Sequence, residues 1–374
     1  MRILFLRSNP VNPDSRVEKE TRALTEAGHQ VSVFCWDRSS NHKIKKTSVD
    51  VDNNKIYFFR IGIQSVYGGG IKKNFKSLMS FQRAISFFID KNHVRFDVIH
   101  ACDFDTCFTG FRKATQYHLK IVYDVFDYYV DGFKIPELLK PPIKAIDRYL
   151  MNHANALILC TDERKKQVGR LKQDNICVIH NTPEKAEPTC NATEGSEGRL
   201  KIVYVGILGN ERLIPELLEI VSKDSSIELH IAGFGQYERM AEDYSNKYSN
   251  IIFYGKIPYD KTLRLESSCQ VMTAIYDPTN RNHKYAAPNK FYEALMLGKP
   301  LIMCKGTGMS QYVSKYNFGV LIDYSKEGLK NGILYIKEHL SEFISRSEIE
   351  QSIYDREFNW DTMKKRLIQL YTTI

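Results

Sequence analysis

The chain has 374 residues, 43% of them hydrophobic, and a formal net charge of +9. That length fits two domains of roughly 150–200 residues, each with a core of its own. No stretch reaches the roughly 18 apolar residues of a membrane-spanning helix, MRILFLRSNP has too short an apolar core for a secretory signal, and no zinc finger, RNA-binding signature or basic-helix repeat accompanies the positive charge. Nucleic acid is therefore set aside in favour of an anionic substrate or membrane surface. The eight cysteines are scattered, with no C-x-x-C and no metal-ligand spacing, which points to a reducing cytoplasm.

In chain order, residues 3–6 read as a buried strand, 7–14 as a loop, 15–27 as a helix stopped by Gly28, and 31–36 as a second strand. This βαβ unit seeds a parallel doubly wound sheet. Its first loop is not G-x-G-x-x-G, which argues against an NAD dehydrogenase. Residues 55–61 read as a strand and 66–70 as a Gly-rich turn. Residues 71–91 form a basic amphipathic helix in which Lys72, Lys73, Lys76 and Arg83 mix with Phe75, Leu78, Met79, Phe81, Ile85, Phe88 and Ile89. Such a helix packs on a sheet, lies on an anionic membrane, or packages an acceptor lipid. The stretch 133–149, FKIPELLKPPIKAIDRY, is a second candidate of this kind.

Residues 97–100 end a strand and 101–106 form the loop after it. Ligands in open α/β sheets gather beyond the carboxyl ends of strands, so His100, Asp103 and Asp105 are candidates for chemistry. The strand 120–125 leads into DVFDYYVD, where Asp127 and Asp131 are candidates for acceptor hydroxyls and Tyr128 and Tyr129 for stacking on sugar. A strand, a helix and a strand over 156–180 complete a first domain, residues 1–181.

Residues 182–199 are poor in apolar side chains and rich in Pro, Gly, Ser and Glu, a linker. A second α/β run, 200–357, has strands at 200–205, 227–232, 251–253, 270–275, 300–303 and 319–322, with helices at 326–344 and 346–354. The tail 358–374 reads as a helix. After the first of these strands, Gly206 and Gly209 permit close backbone approach, and Arg212 suits a diphosphate. Gly233 and Gly235 form a lone G-x-G. The stretch 285–302, YAAPNKFYEALMLGKPLI, reads as a loop, a helix opened by Pro288 and Asn289 and stopped by Gly298, and a buried strand. A helix N-terminus suits phosphate, Lys290 stands beside it, and Glu293 lies one turn inside, able to accept hydrogen bonds from sugar hydroxyls. The pattern fits a nucleotide-diphosphate seat, or an amphipathic helix with a surface Glu.

The run P-N-K-x-x-E-A-x-x-x-G-K-P resembles the C-terminal signature of retaining glycosyltransferases of family 4, in the subgroup with P-N-K-x-x-E. P-D-S-R-V-E-K-E-T-R-A-L and D-V-I-H-A-C-D-F-D-T resemble two N-terminal segments of the same family. The resemblance implies the GT-B fold, with two Rossmann-like doubly wound parallel-sheet domains facing across a cleft and a last helix that crosses back to the first domain. It implies that Glu293 holds the donor ribose, that Arg212 binds phosphate where Ile207 replaces a second cation, and that Gly233 and Gly235 border the donor pocket. It also implies that the backbone at Lys256 and Ile257 reads the nucleobase and that the loop before Arg16 faces the cleft, so Arg16 is a candidate for an anionic ligand. Two positions depart from the family: Tyr285 replaces the first acid of E-x7-E, and Cys102 replaces the second His of H-x-H-D.

On this reading a UDP- or GDP-sugar is the donor and a glycan or polyprenyl-linked molecule is the acceptor. Arg212, Lys290 and the helix N-terminus stabilise the leaving diphosphate, Asp103 and His100 lie near the reacting sugar, and no cofactor or metal is required. The nearest Asp-x-Asp is Asp103-Phe104-Asp105. The expected setting is cytoplasmic, peripheral at the inner face of the cell membrane, in capsule, O-antigen or other cell-envelope polysaccharide assembly. A non-catalytic sugar-nucleotide-binding scaffold subunit and a GT-B sugar-nucleotide epimerase remain open.

Overall fold

The computed structural model describes residues 1–66, 69–133, 135–172, 174–185 and 198–374. Most of the expected linker and part of the turn at 66–70 lie outside the described residues. The chain forms two compact units, one of Met1–His180 with Met363–Ile374 and one of Asn181–Thr362.

The N-terminal unit is built on an eight-stranded sheet in the order β3-β4-β2-β1-β5-β6-β7-β8. Its strands are β1 Arg2–Arg7, β2 Gln30–Asp37, β3 His42–Val51, β4 Asn54–Gly62, β5 Val98–Cys102, β6 Lys120–Val125, β7 Ala156–Leu159 and β8 Ile176–Val178. Ile3 to Leu6 are fully buried, because a central parallel strand is covered by helices on both faces. The helix Ser15–Glu26 follows β1, and the Asp14 carboxylate caps it by accepting from Val17 N. The helix Gly70–Asn92 buries Phe81, Ile85, Phe88 and Ile89, with Phe81 stacked 4.7 Å from Trp36 and Phe88 4.6 Å from Phe34.

All neighbouring pairs in this sheet are parallel except β3 with β4. The sequence pattern gives no strand at 42–51. HKIKKTSVDV is almost wholly exposed, so the backbone ladder to β4 makes the strand, and its lysines mark it as a protected edge.

The C-terminal unit holds a six-stranded parallel sheet in the order β11-β10-β9-β12-β13-β14. Its strands are β9 Leu200–Ile207, β10 Ile227–Phe234, β11 Ile251–Phe253, β12 Val271–Ala274, β13 Leu301–Cys304 and β14 Gly319–Ile322. One face is packed by Leu217, Ile231 and Ile333, the other by Phe291, Leu295 and Phe318. Gly298 ends the helix Asn289–Leu297 at φ +60, where a Cβ would lie 2.0 Å from Ser347 Oγ.

The helix expected over 326–344 is broken into Lys326–Glu338 and Leu340–Ser345, because His339 leaves helical geometry. The last helix, Trp360–Thr373, places Tyr371 in the N-terminal unit, where its hydroxyl is hydrogen-bonded to His100 Nδ1 at 2.7 Å.

Candidate active site

In the C-terminal unit, β9 and β12 are neighbours, while β10 and β11 extend the sheet one way and β13 and β14 the other. The carboxyl ends of β9 and β12 thus form a switch point, where open α/β sheets leave a crevice. A cavity of about 420 Å³ opens there, lined by Tyr204 and Gly206 of β9, Thr273 of β12, Tyr276, Arg212 and the start of the helix Asn289–Leu297. No side chain caps that helix and no acid stands in its first turn. Pro288, Asn289 and Lys290 line the cavity, so the leading N–H groups and the positive end of the helix dipole are left for an anion. Asn289 Oδ1 accepts from Asn181 Nδ2 at 2.9 Å.

Arg212 ends the 3₁₀ turn Asn210–Arg212. Its guanidinium stacks 3.8 Å above the Tyr276 ring and lies 3.4 Å from His283 Nε2. Among the described residues it enters no ion pair, so its charge is uncompensated in the cavity wall.

Lys290 behaves differently. Its Nζ lies 2.7 Å from both Glu266 Oε1 and Glu293 Oε2, and neither carboxylate has exposed surface. The Tyr259 hydroxyl donates to Glu293 Oε1 at 3.0 Å. Burial opposes the charge on Lys290, but Glu293 and Glu266 outweigh it and hold the ammonium above its usual range. Burial and the Glu293 charge push the Glu266 carboxyl up to about 8, against the pull of Lys290. Lys290, expected as a cation for the diphosphate, has its charge matched in place by buried acids. Glu293 is likewise not an open carboxylate, since both its oxygens are engaged. Each oxygen has a further lone pair, so a sugar hydroxyl must join or displace Tyr259. Glu266 and Tyr259 carry no motif that marks them in the sequence.

The glycines divide. Gly206 lines the cavity. Gly233 has φ +147, and a Cβ there would lie 1.8 Å from Gly206 O. Gly233→Ala should therefore lower stability by about 1–3 kcal/mol from backbone strain alone, read as a lower urea midpoint, and should displace the Gly206 turn. A Cβ at Gly235 would meet Leu208 O at 2.8 Å. Gly209 has φ −123° and open surroundings, so the fold itself does not require a glycine there. Lys256 is exposed, its Nζ 5.2 Å from the Phe234 ring, and neither it nor Ile257 lines the cavity.

The N-terminal unit has its own switch point between β1 and β5. Arg7 ends β1 and its Nη1 donates to Asp103 Oδ2 at 2.6 Å. Asp103 Oδ1 accepts from the backbone N–H of Phe126 at 2.9 Å and of Asp127 at 3.2 Å. Asp103 has φ +67, a conformation that L-residues reach only under strain. Burial drives its carboxyl up to about 7 against the pull of Arg7. A strained, buried carboxyl at a strand end fits a functional site. Arg7 has no motif that marks it in the sequence.

His100 and Arg16 lie deeper than the cleft-facing positions expected of them. His100 has no exposed surface, stacks 4.0 Å from Phe5, and lies 3.5 Å from Asp124 and 3.7 Å from Glu20. Burial lowers its pKa, which keeps it neutral. Arg16 pairs with Asp124 at 2.8 Å and Glu20 at 3.1 Å and donates to Ile179 O at 2.9 Å. Both residues are held in one buried polar network. Glu20, His100 and Asp124 have the donor types of a metal site, but the Arg16 guanidinium supplies their positive charge. Asp127 is half exposed, 3.3 Å from Arg164. Tyr128 and Tyr129, expected on a sugar, are buried.

The Glycosyltransferase Family 4 model matches residues 15–182, and the Glycosyl transferases group 1 model matches residues 190–352. Sequence comparison with curated proteins gives no match. Among solved structures, sucrose-phosphate synthase from Thermosynechococcus elongatus is similar at 17% identity and TM-score 0.76, covering 100% of this chain and 98% of its own. HepE from Anabaena, crystallised with UDP, is similar at 15% identity and TM-score 0.72, covering 100% of both chains. The E. coli trehalose-6-phosphate structure bound with UDP-2-fluoro glucose is similar at 11% identity and TM-score 0.70, covering 100% of this chain and 98% of its own. The two family matches follow one another along the chain, and both units carry the doubly wound sheets of these structures: the chain belongs to glycosyltransferase family 4 and has the GT-B fold.

Proposed function

We propose that this glycosyltransferase acts with retention, moving a sugar from a UDP- or GDP-sugar to a glycan or polyprenyl-linked acceptor in cell-envelope polysaccharide assembly. The observation that carries the donor reading is the cavity at the β9/β12 switch point, where an uncapped helix N-terminus and the unpaired Arg212 converge. Charge grows on the diphosphate as the glycosidic bond breaks. Arg212 and the N–H groups at Asn289 are oriented beforehand and stabilise that charge. The reaction then proceeds without a metal, and activity persists in EDTA. HepE has been crystallised with UDP and with UDP-glucose, which supports a uridine donor. The basic helix Gly70–Asn92 supports attachment at an anionic inner membrane face.

Calorimetry with UDP, GDP, ADP, CMP and dTDP tests the donor reading. One nucleotide should bind, and Glu293→Ala should lose roughly 1–3 kcal/mol of that binding. Binding of none would remove the donor reading, and binding without product on any acceptor would favour the second reading, a non-catalytic sugar-nucleotide-binding scaffold subunit. That reading is supported by the charge pairing of Lys290 and by Ile207, Cys102 and Tyr285 at family positions.

A further inference from the structure

Two adjoining cavities in the N-terminal unit have no part in donor binding. One, of about 430 Å³, is a groove between the helices Gly70–Asn92 and Phe104–Tyr117, bordered by Leu139 and Ile143. The other, of about 370 Å³, lies at the N-terminus of the first of these helices, beside Trp36 and Arg38. Ile71, Leu78, Asp105 and Tyr129 line both, so the two adjoin.

The groove is lined by Phe75, Met79, Phe104 and Phe108, and Phe75 is 57% exposed. A cluster of large apolar side chains open to water marks a binding surface. The inner end is polar. Asp105 is buried and its carboxyl accepts a hydrogen bond from Ser8, while its Oδ1 has no hydrogen-bond partner among the described residues, a state that a further donor relieves. The surroundings are cationic. Lys72, Lys73, Lys76, Arg83 and Arg112 enter no ion pair among the described residues, and the helix Gly70–Asn92 begins with no side-chain cap and no acid in its first turn.

We infer that this space binds one anionic amphiphile as the acceptor, with its hydrocarbon chain in the groove and a head-group hydroxyl donating to Asp105 Oδ1. The acidic part of the head is met by Arg83 and Arg112, which line the groove. The acceptor role rests on the transferase reading above; the binding does not. A concave groove that ends on a buried carboxylate suits a single chain. A bilayer surface calls for a protruding apolar face instead.

The test is calorimetric titration of the full chain with straight-chain alkyl phosphates of increasing length, each below its micelle concentration. Affinity should rise about fourfold per added methylene and level off once the groove is full. Met79→Asp and Phe75→Asp should each weaken binding tenfold or more. Phe87→Asp, on the same helix, 61% exposed and outside the groove, should leave it unchanged, and all three variants should bind nucleotide as the parent does. No binding, no dependence on chain length, or equal losses in all three variants would overturn the inference. So would binding confined to anionic vesicles, which would make the helix a membrane-facing surface. Nucleotide binding without alkyl phosphate binding leaves the transferase reading intact and removes this one. The reverse result keeps the groove as a lipid site and removes its acceptor role.

Discussion

Lys290→Met should destabilise the protein by about 3–5 kcal/mol, the range seen when one partner of a buried ion pair is removed. The side-chain stem is retained, so the loss is electrostatic. Glu266 and Glu293 would face one another without the cation that now lies 2.7 Å from each. The pH dependence separates this from lost packing. Burial and Glu293 place the folded Glu266 carboxyl at about 8, against an ordinary 4.5. Between those values the folded protein holds a proton that the unfolded chain has released. Stability from this group is therefore complete below the lower value and is lost as pH rises through the upper one. At pH 6 Glu266 is already protonated and the variant keeps one buried charge. At pH 9 it must carry two or take up a proton. Urea unfolding at the two pH values should show the greater loss at pH 9, and adding Glu266→Gln should recover more than half of it. Equal losses at both pH values would show that Lys290 acts through packing.

Arg212→Ala should lower kcat/KM for the donor sugar by about 10²–10³, the usual effect of removing one donor aimed at developing charge. Stability should change by less than about 1 kcal/mol, since Arg212 sits on a short turn, is not buried and has no carboxylate to leave behind. The fall should appear in kcat, because charge on the diphosphate is greatest as the bond breaks. Arg212→Lys should recover only part of the rate, since an ammonium cannot reproduce the planar stack on Tyr276. A change confined to KM would mean that Arg212 holds the donor equally before and during reaction, and that the N–H groups at the start of the helix Asn289–Leu297 carry the stabilisation.

These two cations show where sequence reading stops. Arg212 and Lys290 look alike as basic residues beside a helix start. Lys290 is matched by Glu266, an acid on a different helix that no motif connects to it. Arg16 and His100 are engaged in the same way. Their partners Glu20, Asp124 and Tyr371 are brought together only when β1, β5, β6 and the last helix pack. The edge strand β3 was illegible because its side chains face water and carry no hydrophobic period.

Sequence alone determined the parallel α/β architecture, the positions of the C-terminal strands along the chain, the helix that opens at Pro288 and stops at Gly298, and the membership of the family. These rest on local patterns: continuous apolar runs, glycines at forced turns, and a motif within one stretch of chain. Only the tertiary structure decided which charges are free and which are paired, that Asp103 is strained and held by Arg7, and that Asp105 ends a groove. Those properties depend on burial and on distances between residues remote in sequence. Coulomb interactions and desolvation change steeply with both.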